Sequence, residues 1–210
     1  MKSSDKHWDA IFSGTEDPKL GWYEKDASQT LELLNHIPKW GNSTVFLSGV
    51  GTSILIEKFI SRDIKLVLND ISIEALNRVK DRLGDQCKGI IWLCQDIAQP
   101  IKEAIPGVDI WIDRAVLHFL TDEDDIKGYF ENVKSTLKVG GYAIFSEFSK
   151  TGAPKCAGLT LHRYSVKELS ERLGAEFELI THYDYNYINP NGNPLPYIYT
   201  LYKRENRTDS

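Results

Sequence analysis

Five short apolar runs, separated by segments of helical periodicity, constrain the fold of this chain more than any other feature of its sequence. Most of the runs are continuously apolar and do not alternate with polar residues, which is typical of strands buried on both faces of a parallel sheet. Regular alternation of strand and helix indicates βαβ units. We therefore predict an α/β fold with a doubly wound sheet. The five predicted strands are 44–48, 65–69, 89–94, 108–113 and 141–148.

The segments between these runs carry the signals of helix ends. The clearest begins at Thr121, a good N-cap, which is followed by four acidic residues that suit the positive end of a helix dipole. Another begins after Ser72 and ends at Gly84, a typical C-terminal stop. A third begins at Ser165, and Glu168 three residues later completes a capping box.

Two regions interrupt the alternation. Before the first run come about forty residues, in which Asp26 or Ser28 is placed to cap a further helix. After the fifth run comes an irregular stretch rich in glycine and proline, and then two long strand-like segments joined by the sequence NPNGNPLP. That turn predicts an antiparallel pair. The two segments are 175–184 and 196–203.

The size and composition of the chain are typical of one globular domain. It has 210 residues, of which 41% are hydrophobic and 26% are charged. We predict a single domain over 1–204, with an N-terminal lid or helical segment in 1–40 and a substrate loop and antiparallel hairpin in 150–204. Residues 205–210 are predicted to be a polar tail. The formal net charge of −5 argues against a nucleic-acid partner.

The cysteines and the apolar runs favour an intracellular location. The three cysteines form no C-x-x-C pair and are expected to be free thiols. The sequence begins without an apolar core of signal-peptide length, and no apolar run is long enough to cross a membrane. Cysteines and histidines show no metal-ligand spacing. We expect a cytoplasmic protein with no membrane partner and no metal.

The residues directly after the predicted strands indicate a nucleotide-binding edge, because ligands of open α/β sheets lie beyond the carboxyl ends of the strands. Gly49 and Gly51 follow the first run, and glycines there let the backbone approach a ligand closely. Asp70 ends the second run, about twenty residues past the glycines, where a carboxylate can accept both ribose hydroxyls. Asp96 comes shortly after the third run with Ile97 beside it, and these residues can contact the amino group and ring of an adenine.

Each of these signals has a structural alternative. Asp70 can cap the following helix, Asp96 can be an ordinary loop residue, and two glycines spaced G-x-G are most often a turn. The third glycine of a dinucleotide fingerprint is absent, since Ile54 stands at its position. This absence disfavours a nicotinamide cofactor, whose pyrophosphate needs tight helix packing at that point. The joint pattern of the glycines and the two aspartates is the specific signal.

The same segments resemble the motifs of class I S-adenosylmethionine-dependent methyltransferases, and the resemblance extends over nearly the whole chain. VFLSGVGTS resembles the glycine turn of that family, LNDIS its ribose-binding strand end, and CQDI its adenine-contacting step. LKVGGYAIFSEF resembles the segment leading into the fifth strand, and VDIWIDRAVLHFL the fourth-strand segment of a generic bacterial subgroup. The N-terminal HWD…GWYE is more distantly similar to small-molecule methyltransferases of the thiopurine and tellurite type.

This resemblance implies a Rossmann-like sheet of seven strands in the order 3-2-1-4-5-7-6, with strand 7 antiparallel. It also implies S-adenosylmethionine as the cofactor and S-adenosylhomocysteine as the product. One departure is Leu47, which stands where the family usually has an acidic residue that often contacts the methionine amino group. The implied cofactor-binding residues are Trp22, Gly49, Gly51, Ser53, Asp70, Ile71, Asp96, Ile97 and Arg114.

Methyl transfer needs an aligned acceptor and, where the acceptor is protonated, a group that removes its proton. His118 is the candidate general base, because the ordinary pKa of histidine lies close to neutral pH; its alternative role is structural packing. Arg114 can bind the methionine carboxylate or an anionic substrate, or it can pair with Asp113 or Asp109 and hold the loop. Glu147 can face the site or be a solvated strand end. The predicted substrate-binding residues are Tyr23, Phe119 and Arg163.

The sequence leaves three functions open. The first is methyl transfer to a sulfur, nitrogen or oxygen atom of a small molecule, favoured because the compact chain has no added recognition domain. The second is methylation of a protein, for example on lysine, since an acidic rim that includes 122–125 can attract a basic peptide. The third is a module that binds the cofactor without catalysis, which Leu47 favours.

Overall fold

The computed structural model describes residues 3–62 and 64–206. The α-helices within these ranges are α1 (Asp5–Gly14), α2 (Ser28–Leu34), α3 (Leu55–Ile60), α4 (Ile73–Leu83), α5 (Glu123–Thr136) and α6 (Val166–Leu173). The strands are β1 (Thr44–Ser48), β2 (Lys65–Asp70), β3 (Ile91–Cys94), β4 (Val108–Arg114), β5 (Leu137–Phe148), β6 (Lys155–Cys156), β7 (Leu159–Thr160), β8 (Phe177–Ile188) and β9 (Pro194–Arg204). Short 3₁₀ turns lie at Asp17–Lys19, Trp40–Asn42, Gly84–Cys87 and Leu117–Phe119.

Seven of the strands form one sheet in the order β3-β2-β1-β4-β5-β9-β8. The first five run parallel, and β9 pairs antiparallel with both β5 and β8. When only the strands of this sheet are numbered, the order is 3-2-1-4-5-7-6 with strand 7 antiparallel, so the predicted topology is confirmed. β6 and β7 form a separate small hairpin within the stretch that was predicted to be irregular.

The central strands are buried on both faces, as their continuous apolar sequences predict. All of β1 is buried, and its side chains alternate between two cores on opposite faces of the sheet. On one face Phe46 stacks on Trp111 of β4 with ring centroids 4.1 Å apart, and α5 and α6 cover both. On the other face Leu47 packs in the core that α2, α3 and α4 contribute to. Helices on both faces make the sheet doubly wound.

Two of the four predicted helix starts are found as expected, and that of α5 is displaced by one residue. Ser72 caps α4 and Ser165 caps α6, each through its side-chain oxygen. The N-cap of α5 is Asp122, whose side chain accepts the backbone N–H of Asp124, so the prediction of Thr121 was wrong. Aspartate caps as well as threonine does, and three acids still fill the first turn of the helix.

The start of α2 also differs from the prediction. Its N-cap is Ala27, which has no side chain to offer, and the helix begins at Ser28. Oδ1 of Asp26 accepts the backbone N–H of Ser28 at 3.0 Å, so this aspartate serves the first turn from just outside the helix.

The N-terminal helix packs beside the carboxyl edge of the sheet. Oδ1 of Asp9 in α1 accepts a hydrogen bond from the hydroxyl of Ser72 at 2.6 Å, which ties α1 to the start of α4. The aromatic residues of α1 thereby face the turn after β1. No helix in the described ranges is long and apolar enough to cross a membrane. Of the predicted polar tail, 207–210 lie outside the described residues.

Candidate active site

A cavity lies at the carboxyl edge of the sheet, between the strand ends and α1. We call one part of its wall the glycine side, formed by 47–55, 69–71 and 95–97. The other part, the histidine side, is formed by 22–24, 114–116 and 118–120 together with Cys156 and Tyr197. Trp8 and Phe12 of α1 also line the cavity. Both parts belong to one continuous space.

The turn after β1 requires both of its glycines. Gly49 and Gly51 have φ angles of 53° and 50°, in the left-handed region that residues with a Cβ rarely adopt. A Cβ added to Gly49 would lie 2.2 Å from Cγ2 of Val116, and one added to Gly51 would lie 3.4 Å from the ring of Phe12. The absence of these side chains brings backbone to the cavity surface.

Asp70 at the end of β2 is buried and held by backbone donors. Its Oδ2 accepts the N–H of Gly51 at 2.7 Å, and its Oδ1 accepts the N–H of Ser72 at 2.8 Å. Burial raises the pKa of Asp70 to about 6, although these hydrogen bonds oppose the rise. Each carboxylate oxygen has a second lone pair, so Asp70 can accept further hydrogen bonds from ligand hydroxyls. The cap of α4 is Ser72, not Asp70.

Asp96 lies on the glycine side next to apolar side chains. One of its oxygens accepts the N–H of Ala98 at 2.9 Å, which fixes the carboxylate at the end of β3. Ile97 is buried and Ile71 is half-buried, and both contribute to the wall. A carboxylate beside branched apolar side chains suits a flat heterocycle that packs on them and donates from an amino group.

Arg114 at the end of β4 connects the sheet to the segment 22–24. Its Nη1 donates to the carbonyl of Trp22 at 2.9 Å, and its Nε lies 2.8 Å from Oε1 of Glu24. The guanidinium also lies over two tyrosine rings of β8 and β9, 5.3 and 5.6 Å from their centroids. The ion-pair partner of Arg114 is thus Glu24, and neither of the two partners considered from the sequence, Asp113 and Asp109.

His118 lies on the cavity wall and is fully buried. Its Nδ1 lies 2.6 Å from Oε2 of Glu147 in β5, and its ring packs against Phe119 and Phe148 with centroids 4.5 and 4.8 Å apart. Burial lowers the pKa of His118 to about 3 and raises that of Glu147 to about 8, so the imidazole is neutral at pH 7. Glu147 is buried and is not a solvated strand end.

The structure brings together all but one of the site residues expected from the sequence. The residues implied for the cofactor, together with His118, Tyr23 and Phe119, lie on the wall of this cavity. Arg163 does not. Its Nη1 donates to the carbonyls of Lys150 and Gly152, both at 2.9 Å, so its side chain fastens the loop after β5 and is not part of the wall.

Several wall residues were not expected. Trp8 and Phe12 are four residues apart on one face of α1, and that spacing is a usable sequence signal. Glu24 and Tyr197 come from segments far apart in the chain and meet at Arg114. No local pattern indicates such long-range contacts, so sequence reasoning could not have found these two residues.

Comparison with known proteins agrees with this geometry. A family model described as "Methyltransferase domain" matches residues 47–145. Malonyl-[acyl-carrier protein] O-methyltransferase 2 of Ilyobacter polytropus is 27% identical over 136 residues, which are 63% of this chain and 45% of that protein. The chain thus spans less than half the length of this curated relative.

Solved structures share the fold at low sequence identity. The N-methyltransferase NodS of Bradyrhizobium japonicum, in complex with S-adenosylhomocysteine, has a TM-score of 0.72 and 15% identity, covering 96% of this chain and 98% of its own. The 1,6-didemethyltoxoflavin-N1-methyltransferase of Burkholderia thailandensis, with bound 1,6-didemethyltoxoflavin and S-adenosylhomocysteine, has a TM-score of 0.65 and 17% identity. That match covers 86% of this chain and 78% of the other.

The glycine side also fits S-adenosylmethionine on its own chemistry. The turn at Gly49 and Gly51 presents bare backbone, Asp70 can accept ribose hydroxyls, and Asp96 can accept from an adenine amino group. At Leu47 the wall is apolar, so the acid that is usual there is absent. Residues 47–145 of this chain thus match a methyltransferase domain, the chain has the fold of solved methyltransferases, and S-adenosylmethionine is the cofactor that its glycine side fits.

Proposed function

We propose that this protein transfers a methyl group to a sulfur, nitrogen or oxygen atom of a small-molecule acceptor. The observation that carries the proposal is that the glycine side and the histidine side line one cavity, so an acceptor on the histidine side is adjacent to the cofactor. Aromatic rings cover this space: Trp8 packs against Trp22 and Phe119 with centroids 5.5 and 4.8 Å apart. Such a cover excludes water from the reacting groups.

The roles of the residues follow from their positions. When bound, S-adenosylmethionine supplies a methyl group on a positively charged sulfur, which keeps the electron pair of the broken bond. The glycine turn, Asp70 and Asp96 hold the nucleoside end. Arg114, held to segment 22–24, presents a positive charge for a carboxylate on the cofactor or the acceptor. His118 is the candidate for removing a proton from the acceptor.

The relatives support a small acceptor without deciding its chemistry. One is named an O-methyltransferase and two are N-methyltransferases, so they leave the acceptor atom open. One of the structures contains both bound 1,6-didemethyltoxoflavin and S-adenosylhomocysteine. We also propose that 1–204 work as a single catalytic domain in the cytoplasm.

Isothermal titration with S-adenosylhomocysteine tests the cofactor half of the proposal. We expect micromolar binding to the wild-type protein and a large loss of affinity in Asp70→Ala. The matched control is Asp81→Ala, which removes an exposed carboxylate on α4 and should leave the affinity unchanged. Equal affinity in Asp70→Ala and the wild type would contradict the assigned cofactor site.

Transfer of label from methyl-labelled S-adenosylmethionine tests the acceptor half. Panels of thiols, amines and hydroxyl compounds are compared with basic peptides. We expect label in small molecules and none in peptides. Label in lysine peptides would replace the small-molecule proposal by a protein substrate. Tight cofactor binding with no transfer to any acceptor would favour a binding module without catalysis.

A further inference from the structure

One oxygen of Glu147 contacts His118 twice. The backbone N–H of His118 donates to Oε2 of Glu147 at 3.1 Å, and Nδ1 of His118 lies 2.6 Å from that same oxygen. Both side chains are fully buried. A backbone N–H is always a donor, so Oε2 already acts as an acceptor. A second N–H directed at it is the arrangement that such an oxygen favours.

A chain of hydrogen bonds behind Glu147 sets the direction of the protons. The indole N–H of Trp111, which can only donate, reaches the hydroxyl oxygen of Tyr129 at 3.0 Å. The single proton of Tyr129 therefore points to Oδ2 of Asp113, 2.6 Å away. Oδ1 of Asp113 accepts the backbone N–H of Val116 at 3.0 Å. Both oxygens of Asp113 are thus acceptors.

Asp113 and Glu147 are two buried acids, and each affects the ionisation of the other. Their carboxyl groups are fully buried, burial raises the pKa of both, and the negative charge of Glu147 raises the pKa of Asp113 further. Two ionised carboxylates are unfavourable together in a buried site, so the pair holds a proton. Oε1 of Glu147 meets no N–H or O–H donor among the described residues. Oε2, which accepts the backbone N–H of His118, is the oxygen that faces Nδ1.

We propose that Glu147 is a positioning residue, which holds His118 in the tautomer with its proton on Nδ1, so that Nε2 presents a lone pair to the acceptor. His118 is then the catalytic residue that takes the acceptor's proton. This inference rests on the proposed function and narrows it to an acceptor class. The acceptor carries an O–H, S–H or N–H group, whereas a carboxylate ion or a tertiary amine would need no base.

The surroundings of the imidazole support this orientation. Nε2 of His118 has no hydrogen-bond partner among the described residues. The rings packed on the imidazole hinder its rotation. The hydroxyl of Tyr197, which also lines the cavity, is likewise buried without a partner in the described part of the chain. The ionisable groups around His118 are Asp113 and Glu147 behind it, Arg114, and Tyr197.

These groups account for every proton and electron pair that moves in the proposed step. The acceptor's lone pair forms the bond to the methyl carbon, and its proton passes to Nε2 of His118. Nδ1 keeps its own proton, so the imidazole becomes a cation. The Asp113–Glu147 pair carries one negative charge and stabilises that cation, since Asp113 favours the charged form of His118. The extra proton is lost to solvent when the product leaves.

The tautomer can be read from ¹⁵N NMR of protein labelled at the histidine ring nitrogens, near pH 7 and without any ligand. The signals of His118 are assigned by elimination with single glutamine variants at His7, His36, His162 and His182. We expect a protonated Nδ1 and an unprotonated Nε2 in the wild-type protein. A proton on Nε2 in that spectrum would overturn the proposal, whatever the behaviour of any variant.

Glu147→Gln and Glu147→Leu form a matched pair. The amide oxygen of glutamine can accept both N–H groups of His118, so we expect the wild-type tautomer. Leucine offers no acceptor for a proton on Nδ1, so we expect a larger fraction of His118 to carry its proton on Nε2. An unchanged tautomer in a folded Glu147→Leu protein would contradict the positioning role. So would loss of the tautomer in Glu147→Gln.

The rate of methyl transfer tests the base role once an acceptor has been found. His118→Gln should lower kcat about 10²-fold or more, the usual contribution of general base catalysis, and leave the affinity for S-adenosylhomocysteine within about twofold. A wild-type kcat in His118→Gln, or a carboxylate as the best acceptor, would overturn the base role. If the wild type binds cofactor but methylates nothing, the proposed function fails and the base role with it, whereas the spectrum still decides the positioning by Glu147.

Discussion

The affinity for S-adenosylhomocysteine should fall about tenfold between pH 7 and pH 5. The ribose hydroxyls need an ionised Asp70 as their acceptor, and burial raises the pKa of Asp70 to about 6 in the free protein. At pH 7 about nine-tenths of the protein has this group ionised, and at pH 5 about one-tenth, since each pH unit changes the ratio tenfold. The ligand must therefore displace a proton at low pH.

The same shift determines how Asp70 affects the stability of the free protein. Its pKa rises from 3.8 to about 6 on folding, a shift of roughly two units or about 3 kcal/mol. The protonated form is the one favoured by the fold. The stabilisation is thus fully present below about pH 4 and is lost as the pH rises through about 6. Above pH 6 the ionised carboxylate lowers the free energy of unfolding, and hydroxyls of a bound nucleoside offset that loss.

Titration calorimetry at half-unit steps from pH 5 to pH 8 measures this dependence. Asp70→Asn is the control, because its amide keeps the shape of the carboxyl group but cannot titrate. We expect weaker binding in this variant and no change in its affinity across the range. A flat wild-type profile would refute the role of an ionised Asp70. An equal slope in Asp70→Asn would assign the titration to another group.

Three further predictions follow from the packing. Gly49→Ala should lower the free energy of unfolding, measured by chemical denaturation, by roughly 2 kcal/mol or more. Its φ is 53°, and the added methyl group would lie 2.2 Å from the side chain of Val116. Gly14→Ala is the control, because a Cβ at that position meets no atom within 4 Å. Glu24→Gln should lower the free energy of unfolding by roughly 2 kcal/mol, because Arg114 loses a largely buried charged partner at 2.8 Å. An unchanged free energy of unfolding would mean that the ion pair contributes nothing to stability. Arg163→Ala should leave the affinity for S-adenosylhomocysteine unchanged in calorimetry, because its side chain fastens the loop after β5, and a large loss would contradict that placement.

The fold was predictable because its signals are local. Continuous apolar runs mark the buried strands, and each of the first four is followed by a residue that lines the cavity, as with Gly49 and Asp70. The exact position of a helix cap is harder to predict, because neighbouring residues can compete for it. Thr121 and Asp122 are adjacent and both can cap α5, so the sequence alone could not separate them.

The environment of His118 could not be predicted, because it depends on contacts between distant segments. His118 is 29 residues from Glu147, and the two meet only because β4 and β5 are neighbours in the sheet. A charged residue at a strand end is usually solvated, so burial of Glu147 contradicts the ordinary expectation. Arg163 shows the reverse case, where a residue of the expected chemistry is used to hold a loop.

The charges on the wall offer a reason why the cavity can function with Leu47 in place of an acid. Glu24, Asp70 and Asp96 are acidic and Arg114 is basic, so the described wall carries a net negative charge when the carboxyl groups are ionised. S-adenosylmethionine has a positive sulfur that the product lacks, and charges interact over several ångströms in a partly desolvated cavity. We infer that this field favours the charged cofactor over the neutral sulfur of the product. An apolar Leu47 then avoids burying one more carboxylate, whose desolvation would destabilise the core that this residue packs in.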